Sequence, residues 1–360
     1  MIPLTRPHFN DDEWYEIGTV LKSGWVSNGP KCTDFERASC NYLGTRNAIT
    51  TSSCTTALHL SLIAMGIKPG DEVIVSDFSF PATGLSVLHA GATPVFCDVD
   101  INTYNIRHES IEKHITNKTK AIIPVHTFGN PCKMDLILEI ARENGLFVIE
   151  DAACAFGSKY RDKCVGTFGD IGCFSFHARK GITTGEGGMV VTENDDIAKT
   201  IRKISMFGVE PAYNRKTIPS FKVVGYNYKM SDIAASIGIA QLKKLPEIIE
   251  RRNQLSKIYR ELLNEKKVIK PQTTTPYSNR IYQSFVGITP DRDRMITHLK
   301  KSGIESGIGT YAQHCNPVFM SPKKNLNSES LYRKTISLPL YHDLKESEIH
   351  IIVEEIHKCR

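Results

Sequence analysis

The sequence predicts an α/β protein with a large domain on a mostly parallel sheet and a smaller C-terminal α+β domain. Three observations predict it. Short continuous apolar runs alternate with longer amphipathic stretches through the middle of the chain, the pattern of strands covered on both faces by helices. Turn punctuation separates them, as in Lys68-Pro-Gly-Asp and Gly91-Ala-Thr-Pro. After about residue 262 the composition shifts to a polar loop, a strand-like run and short helices.

Taken in order, the apolar runs place strands at Glu72–Val75, Pro94–Cys97, Ala121–Val125, Phe147–Glu150, Ile171–Ser175 and Met189–Thr192. Met134–Asn144 between two of them is amphipathic at helical spacing. Ser231 to Leu262 reads as helix with a break near Pro246, because an interior proline lacks the N–H donor and crowds the preceding turn. Gln272–Asn279 is loop, Tyr282–Ile288 strand, and Arg292–Ser302 and Ser347–His357 helices. The boundary falls near residues 245–250, dividing the chain into 1–248, with the N-terminal segment, and 249–360.

Composition narrows the function. A chain of 360 residues exceeds one small core, and 41% hydrophobic with 23% charged residues is ordinary for a globular protein. The net charge of +6 is spread along the chain rather than gathered into a stripe, which speaks against nucleic-acid binding and suits anionic small molecules. Met1-Ile-Pro-Leu-Thr-Arg-Pro lacks the apolar core of a signal peptide, and no apolar run is long enough to span a bilayer. The ten cysteines form no CxxC pair and no Cys/His metal spacing. Several sit in apolar runs, so free thiols in the cytoplasm are expected, with neither disulfides nor a structural metal.

Open α/β sheets bind ligands at the carboxyl ends of their strands. Four loops there carry polar or aromatic groups. Thr51-Ser-Ser-Cys-Thr-Thr opens directly into an apolar helix, whose unpaired N–H groups with Thr55 and Thr56 suit a phosphate; taken alone, the segment is better explained by plain helix capping. Phe147-Val-Ile-Glu-Asp ends an apolar strand in Asp151, which either caps a following helix or faces a cationic partner. Gly172–Gly188 carries Ser175, then Lys180, then a turn with Gly185, Gly187 and Gly188. A lysine that forms an imine must lose its charge, which burial favours. Asp77-Phe-Ser-Phe places Phe80 where it can stack on a ring.

Together with Ser23-Gly-Trp-Val-Ser-Asn-Gly-Pro, Gly91–Asp100, Ser175-Phe-His-Ala-Arg-Lys, Thr183-Thr-Gly-Glu-Gly-Gly and Gly225-Tyr-Asn-Tyr, these segments resemble the DegT/StrS-type sugar aminotransferases nearly end to end. Those enzymes use pyridoxal 5′-phosphate (PLP) and have the aspartate-aminotransferase fold, the PLP-dependent transferase fold type I. The resemblance implies a seven-stranded sheet in the large domain. It implies that Lys180 carries PLP as a Schiff base and that Asp151 pairs with the pyridine nitrogen. Thr55, Thr56 and Ser175 would hold the phosphate, and Phe80 would stack on the ring. Asn227 would reach the phosphate of a neighbouring subunit, so a homodimer with shared active sites follows.

Three departures from the family pattern stand out. Cys154 occupies a position beside the cofactor's hydroxyl edge where Gln or His is frequent. Cys54 replaces a common Gly at the phosphate turn. Thr310-Tyr311-Ala-Gln-His314 replaces a His-Tyr-x-Pro-x-His pattern in the region that, with Trp25, contacts substrate in relatives. The implied reaction moves an amino group from glutamate, through pyridoxamine 5′-phosphate, to a nucleoside-diphosphate keto-sugar, with a 4-keto-6-deoxyhexose as the leading substrate. The alternatives are a PLP-binding regulator without turnover and an aminotransferase for a non-sugar keto substrate. Lys180 argues against the dehydratases of the family, which carry histidine there.

Overall fold

The computed structural model describes residues 1–209, 219–265, 268–319, 321 and 324–359. Its centre is a seven-stranded sheet made of β1 (Asn47–Thr51), β2 (Glu72–Ser76), β3 (Thr93–Cys97), β4 (Thr119–Ile123), β5 (Phe147–Asp151), β6 (Ile171–Ser175) and β7 (Gly188–Thr192). The strands lie in the order β1-β7-β6-β5-β4-β2-β3. Four neighbouring pairs, from β3 across to β6, are parallel. β7 alone runs against its two neighbours, β1 and β6.

Alternate residues of each strand enter two different cores. Ala48, Ile74, Ile122, Val148, Phe174, Met189 and Val191 face one side. Ile49, Val73, Val75, Ala121, Ile123, Ile149, Cys173 and Val190 face the other. Helices cover both. α1 (Asp11–Ser23) precedes α2 (Pro30–Leu43), and α3 (Cys54–Ala64), α4 (Ala82–His89), α5 (His108–Glu112), α6 (Met134–Glu143), α7 (Asp195–Ser205) and α8 (Asp232–Asn264) follow. α2, α5, α6 and the first half of α8 supply the first core, and α3, α4 and α7 the second. Burial on both faces is why the central strands read as unbroken apolar runs.

The smaller sheet contains β8 (Lys270–Pro271), β9 (Phe285–Ile288), β10 (Gly307–Ile308) and β11 (Thr335–Leu338), in the order β8-β9-β11-β10. α9 (Arg292–Lys301), α10 (Leu326–Lys334) and α11 (Glu346–Lys358) accompany it. Leu255, Tyr259 and Leu263 from the second half of α8 join its core with Phe285, Leu299, Ile336 and Ile352.

The structure differs from the sequence expectation in three places. α8 runs through Pro246 as one 33-residue helix, with no break. Leu245 and Ile248, on either side of the proline, both anchor in the large core, and Leu255 further on anchors in the small one. Packing at both ends outweighs the roughly 3 kcal/mol cost of an interior proline. β1 is a strand that the polar-looking Asn47-Ala-Ile-Thr-Thr run conceals. The first residues of the chain leave the large domain: Ile2 bridges to Ile304, and the Leu340 N–H donates to the Leu4 carbonyl. We propose the division at residues 248 and 249 inside α8, where the apolar packing changes from one core to the other.

One side chain sets the entrance to α8. The carboxylate of Asp232, almost fully buried, accepts N–H bonds from Gly29, Lys31 and Cys32 at 2.8, 3.0 and 3.0 Å, so it caps the start of α2 from another helix. Asp232→Ala leaves these donors without partners. It should lower the stability to urea by about 3 kcal/mol, and Asp232→Asn, which keeps one acceptor, should lose less.

Candidate active site

The sequence-predicted residues converge where the parallel strands end. β5 extends one residue further than expected, to Asp151, and no helix begins after it, which removes the capping alternative for that carboxylate. Asp151 is buried, accepts a 2.7 Å bond from the Thr83 hydroxyl and a 3.1 Å bond from the Ala153 N–H. Burial raises its pKa; Thr83, the Ala153 N–H, Lys180 and His126 pull it down by less. A carboxylate in that state gains from a proton-bearing cation placed against it.

Lys180 lies in the turn after β6, its N–H donating to the His177 carbonyl. The side chain is half-buried, and Nζ donates to the Cys154 Sγ at 3.1 Å. Burial lowers the pKa of the ammonium, but Cys154, Cys54 and Asp151 outweigh it, so the net direction is upward. Cys154 thus faces the lysine.

α3 starts at Cys54, with Ser53 as its cap. Ser53 Oγ accepts from the Thr56 N–H at 3.2 Å, and Thr56 Oγ1 accepts from the Ser53 N–H at 3.1 Å. The Thr56 hydroxyl is therefore engaged in the capping box, while half-buried Thr55 stands beside it in the first turn. Cys54 takes the first helical position and is buried, with its thiol pKa pushed well up, chiefly by that burial. The turn needs no glycine there. The glycine that is required sits opposite: a Cβ on Gly188 would come 2.4 Å from the Ser53 carbonyl oxygen and 2.5 Å from the Cys54 nitrogen. Gly188 pairs with Thr51 on one side and with Ser175 on the other, so Ser175 is brought alongside the start of α3. Gly188 thus makes room for the backbone at the start of α3, and Gly185 takes a left-handed backbone, φ 82°.

Phe80 is exposed, with its ring 6.1 Å from that of Tyr311. Residues 311 and 312 form a short strand against Phe78 and Ser79, so this part of the C-terminal half returns to the large domain. Gln313 fastens it: its amide donates to the Ser76 carbonyl and the Ser79 hydroxyl and accepts from the Gly84 N–H. Thr310 is buried. His314 is also buried, its Nδ1–H donating to Asp77 Oδ2 at 2.6 Å. That bond holds its pKa above the ordinary histidine value against the opposing effect of burial. His314 is an anchor of this return, and Tyr311 is the member of the stretch that lies against Phe80.

Trp25 and Asn227 are both exposed. The segment carrying Asn227 lies against the start of α3, where the Ser52 N–H donates to the Tyr228 carbonyl, and Asn227 Oδ1 accepts from Lys229. The Asn28 amide donates to the Met230 carbonyl, which joins the Trp25 loop to the same segment.

Sequence reasoning missed Thr83, Gln313 and the pair beneath Asp151. His126 Nε2 and Glu150 Oε2 lie 2.9 Å apart with no exposure, and Glu150 also accepts from the Gly166, Phe168 and Gly169 N–H groups. Thr83 was within reach, since it closes the Phe80-Pro-Ala-Thr run; the His126 pair carries no local signal.

Comparison with known proteins decides the family. The description DegT/DnrJ/EryC1/StrS aminotransferase family matches residues 7–357. The chain belongs to that family. It is similar to the GDP-perosamine synthase of Caulobacter vibrioides, with 38% identity over 98% of this chain and 96% of the relative. Among solved structures it is similar to the aminotransferase TlmJ from Streptoalloteichus hindustanus, with TM-score 0.95 and 30% identity, covering 100% of this chain and 98% of that one. It is also similar to the PLP form of Spr1654 from Streptococcus pneumoniae, with TM-score 0.93 and 27% identity, covering 99% and 98%.

The protein is a PLP-dependent aminotransferase of fold type I. Its residues fit that cofactor. A buried carboxylate held by one hydroxyl and one N–H, a half-buried lysine, and a helix start with hydroxyls beside it lie together at the strand ends. Thr83→Val removes the hydroxyl bond to Asp151. It should weaken PLP binding to the apoprotein about tenfold, a loss in line with one hydrogen bond to a charged group, as read by absorbance titration.

Proposed function

We propose that the enzyme transfers an amino group from glutamate to a nucleoside-diphosphate keto-sugar, with a 4-keto-6-deoxyhexose as the favoured substrate, and works in amino-sugar biosynthesis. The observation that carries the chemistry is that Asp151 ends β5 and Lys180, in the turn after the neighbouring β6, reaches Cys154 three residues on at 3.1 Å, near enough that each charge acts on the other. The similarity to a GDP-perosamine synthase over nearly all of both chains supports a nucleotide-linked sugar.

In this proposal Lys180 is the residue that holds PLP covalently and Asp151 keeps a proton on the pyridine nitrogen. Thr55, Thr56 and Ser175 bind the phosphate at the start of α3, where unpaired N–H groups favour an anion. Phe80 covers one ring face, and Cys154 lies at the hydroxyl edge. When bound, PLP supplies an electron sink for charge developing on the substrate carbon. Lys180 Nζ does the proton work: it removes the proton from the donor's α-carbon in the first half-reaction and returns one to the sugar carbon in the second. Tyr311, Thr310, His314 and Trp25 shape the substrate side. His314 acts there through the Asp77 bond that fixes the 310–314 stretch.

Two further parts of the proposal concern assembly and setting. Asn227 serves the active site of a second copy in a homodimer. The support is that large apolar side chains on the segments tied to it, Phe207, Phe221, Val224 and Trp25, are exposed; exposed apolar side chains that gather mark association surfaces. The cytoplasm is the proposed compartment, because all ten cysteines are free. Among the described residues no helix is long and apolar enough to cross a membrane.

Lys180→Ala should abolish turnover by about 10³-fold or more and remove the borohydride-reducible lysine–PLP link. Retention of both would defeat the assignment of Lys180. With wild-type enzyme, glutamate plus a panel of nucleotide-linked keto-sugars should give aminated sugars, with simple keto acids turning over far more slowly. The reverse order would point to a non-sugar substrate.

A further inference from the structure

Away from the Lys180 pocket, the turn between β11 and α11 meets the N-terminal segment and the middle of α8. The rings of His8 and His342 pack with centroids 4.1 Å apart and planes tilted by 38°. Asp343 Oδ1 lies 3.0 Å from His8 Nδ1. One donor atom from each of the three residues lies within 4.8 Å of the other two. Behind them, Glu247 Oε1 lies 3.5 Å from His342 Nε2.

Two of the donors are unsatisfied. His8 Nδ1 and His342 Nδ1 are both shielded from solvent and neither makes a hydrogen bond. The Asp343 oxygen is near enough to His8 Nδ1, but it lies off the direction of an N–H···O bond. Buried ring nitrogens normally find a partner. Stacking two imidazoles so that both Nδ1 atoms go without one is unfavourable unless something else takes their lone pairs.

We propose that His8, His342 and Asp343 bind a divalent transition-metal ion, zinc by chemical preference, through the two Nδ1 atoms and a carboxylate oxygen, with water completing the coordination. Two imidazoles and one carboxylate form a three-ligand set that suits zinc, whereas magnesium and calcium demand oxygen ligands. Bond lengths of about 2.0–2.2 Å hold such ligands within roughly 4 Å of one another, so a small rotation of the side chains closes the set. Glu247 supplies the outer partner: a ligating histidine commonly gives its other N–H to a carboxylate, which fixes the tautomer. At His342 that leaves Nδ1 free to coordinate.

The ion would be a staple. Gln241 on α8 donates at 2.7 Å to the His8 carbonyl, so the N-terminal segment is already tied to the large domain at this point. His342 and Asp343 belong to the turn that leads into α11. A metal joining them pins the small domain's turn to that segment. Sequence spacing hides the site, because His8 and His342 lie at opposite ends of the chain.

The test uses chelator-treated holoenzyme titrated with zinc, with bound metal counted by atomic emission. Wild type should retain one equivalent that raises the thermal midpoint. That equivalent and the shift should vanish in His342→Ala and in Asp343→Asn, and Glu247→Gln should bind about 10- to 100-fold more weakly. Asp343→Asn keeps the side-chain shape and decides the matter if the histidine variant does not fold. Cobalt in place of zinc separates this site from the cysteines, since it should show no thiolate charge-transfer band. Equal metal content in wild type and Asp343→Asn, a thiolate band, or no saturable binding would overturn the proposal and leave an unmetallated His–Asp pair. Aminotransfer by the metal-free protein should persist, so failure here leaves the proposed reaction untouched.

Discussion

A carboxylate at the end of a buried parallel strand has to be offset inside its own pocket, and the neighbourhood of Asp151 is arranged around that need. Water does not reach it, and its fixed partners are one hydroxyl and one N–H. The result is a raised pKa and an environment that rewards a cation. Thr83, which supplies the hydroxyl, is carried by α4, and the loop leading into α4 presents Phe80. The same contact therefore sets the depth of the carboxylate and the height of the aromatic ring. Beneath it, Glu150 accepts three N–H bonds from the chain leading into β6 and pairs with His126, so the floor under Asp151 is rigid. Lys180 arrives from the far end of β6, and its position follows from the register of β5 against β6.

Most of this was legible where the physics is local. Apolar runs buried on both faces give the strands, and the family resemblance carried by the segments around Lys180 and Asp151 implies the reaction class. Legibility fails where one residue answers to a distant one. Asn47–Thr51 looks like loop until β7 pairs with it, and β7 runs antiparallel for reasons found in the tight return from Phe176 to Gly188 rather than in its own composition. Pro246 would end a free helix, and only two cores gripping opposite halves of α8 keep it continuous. Ile2 and Leu4 read as part of the first domain by position, yet their partners are in the second. Gly188 is the instructive case at the site. A glycine there is readable as close approach, but whether the approaching group is a ligand or the Ser53–Cys54 backbone requires the fold.

The family pattern and this chain part company along Thr310–His314, and the structure explains how the stretch tolerates change. Its position rests on Gln313 and His314, whose partners are the Ser76 carbonyl, the Gly84 N–H, Ser79 and the Asp77 carboxylate. Both anchors point into the large domain. The strand residue that stays partly accessible is Tyr311, its ring 6.1 Å from Phe80 and 5.9 Å from Tyr332. Exchange at Tyr311 leaves the anchors intact, so the accessible side chain can vary while the backbone that presents it does not.

The same division between anchor and presented residue holds on the other side of the pocket. Asp232 fastens the start of α2, and Asn28 reaches the Met230 carbonyl, so the Trp25 loop is tied to the entrance of α8 as well as by its own bonds from Trp25 to Ser23 and Asn28. The Asn227 segment is fixed in turn by the Ser52 N–H at the start of α3 and by backbone bonds to Ile204 and Ser205 at the end of α7. Trp25 and Asn227 are thus held by backbone while their side chains remain exposed. An exposed tryptophan and asparagine on a rigid frame, beside apolar residues that water solvates poorly, form a surface suited to a second chain. The Trp25 loop, the Asn227 segment and the start of α3 are thereby one connected frame, joined through Met230, Tyr228 and Ser52.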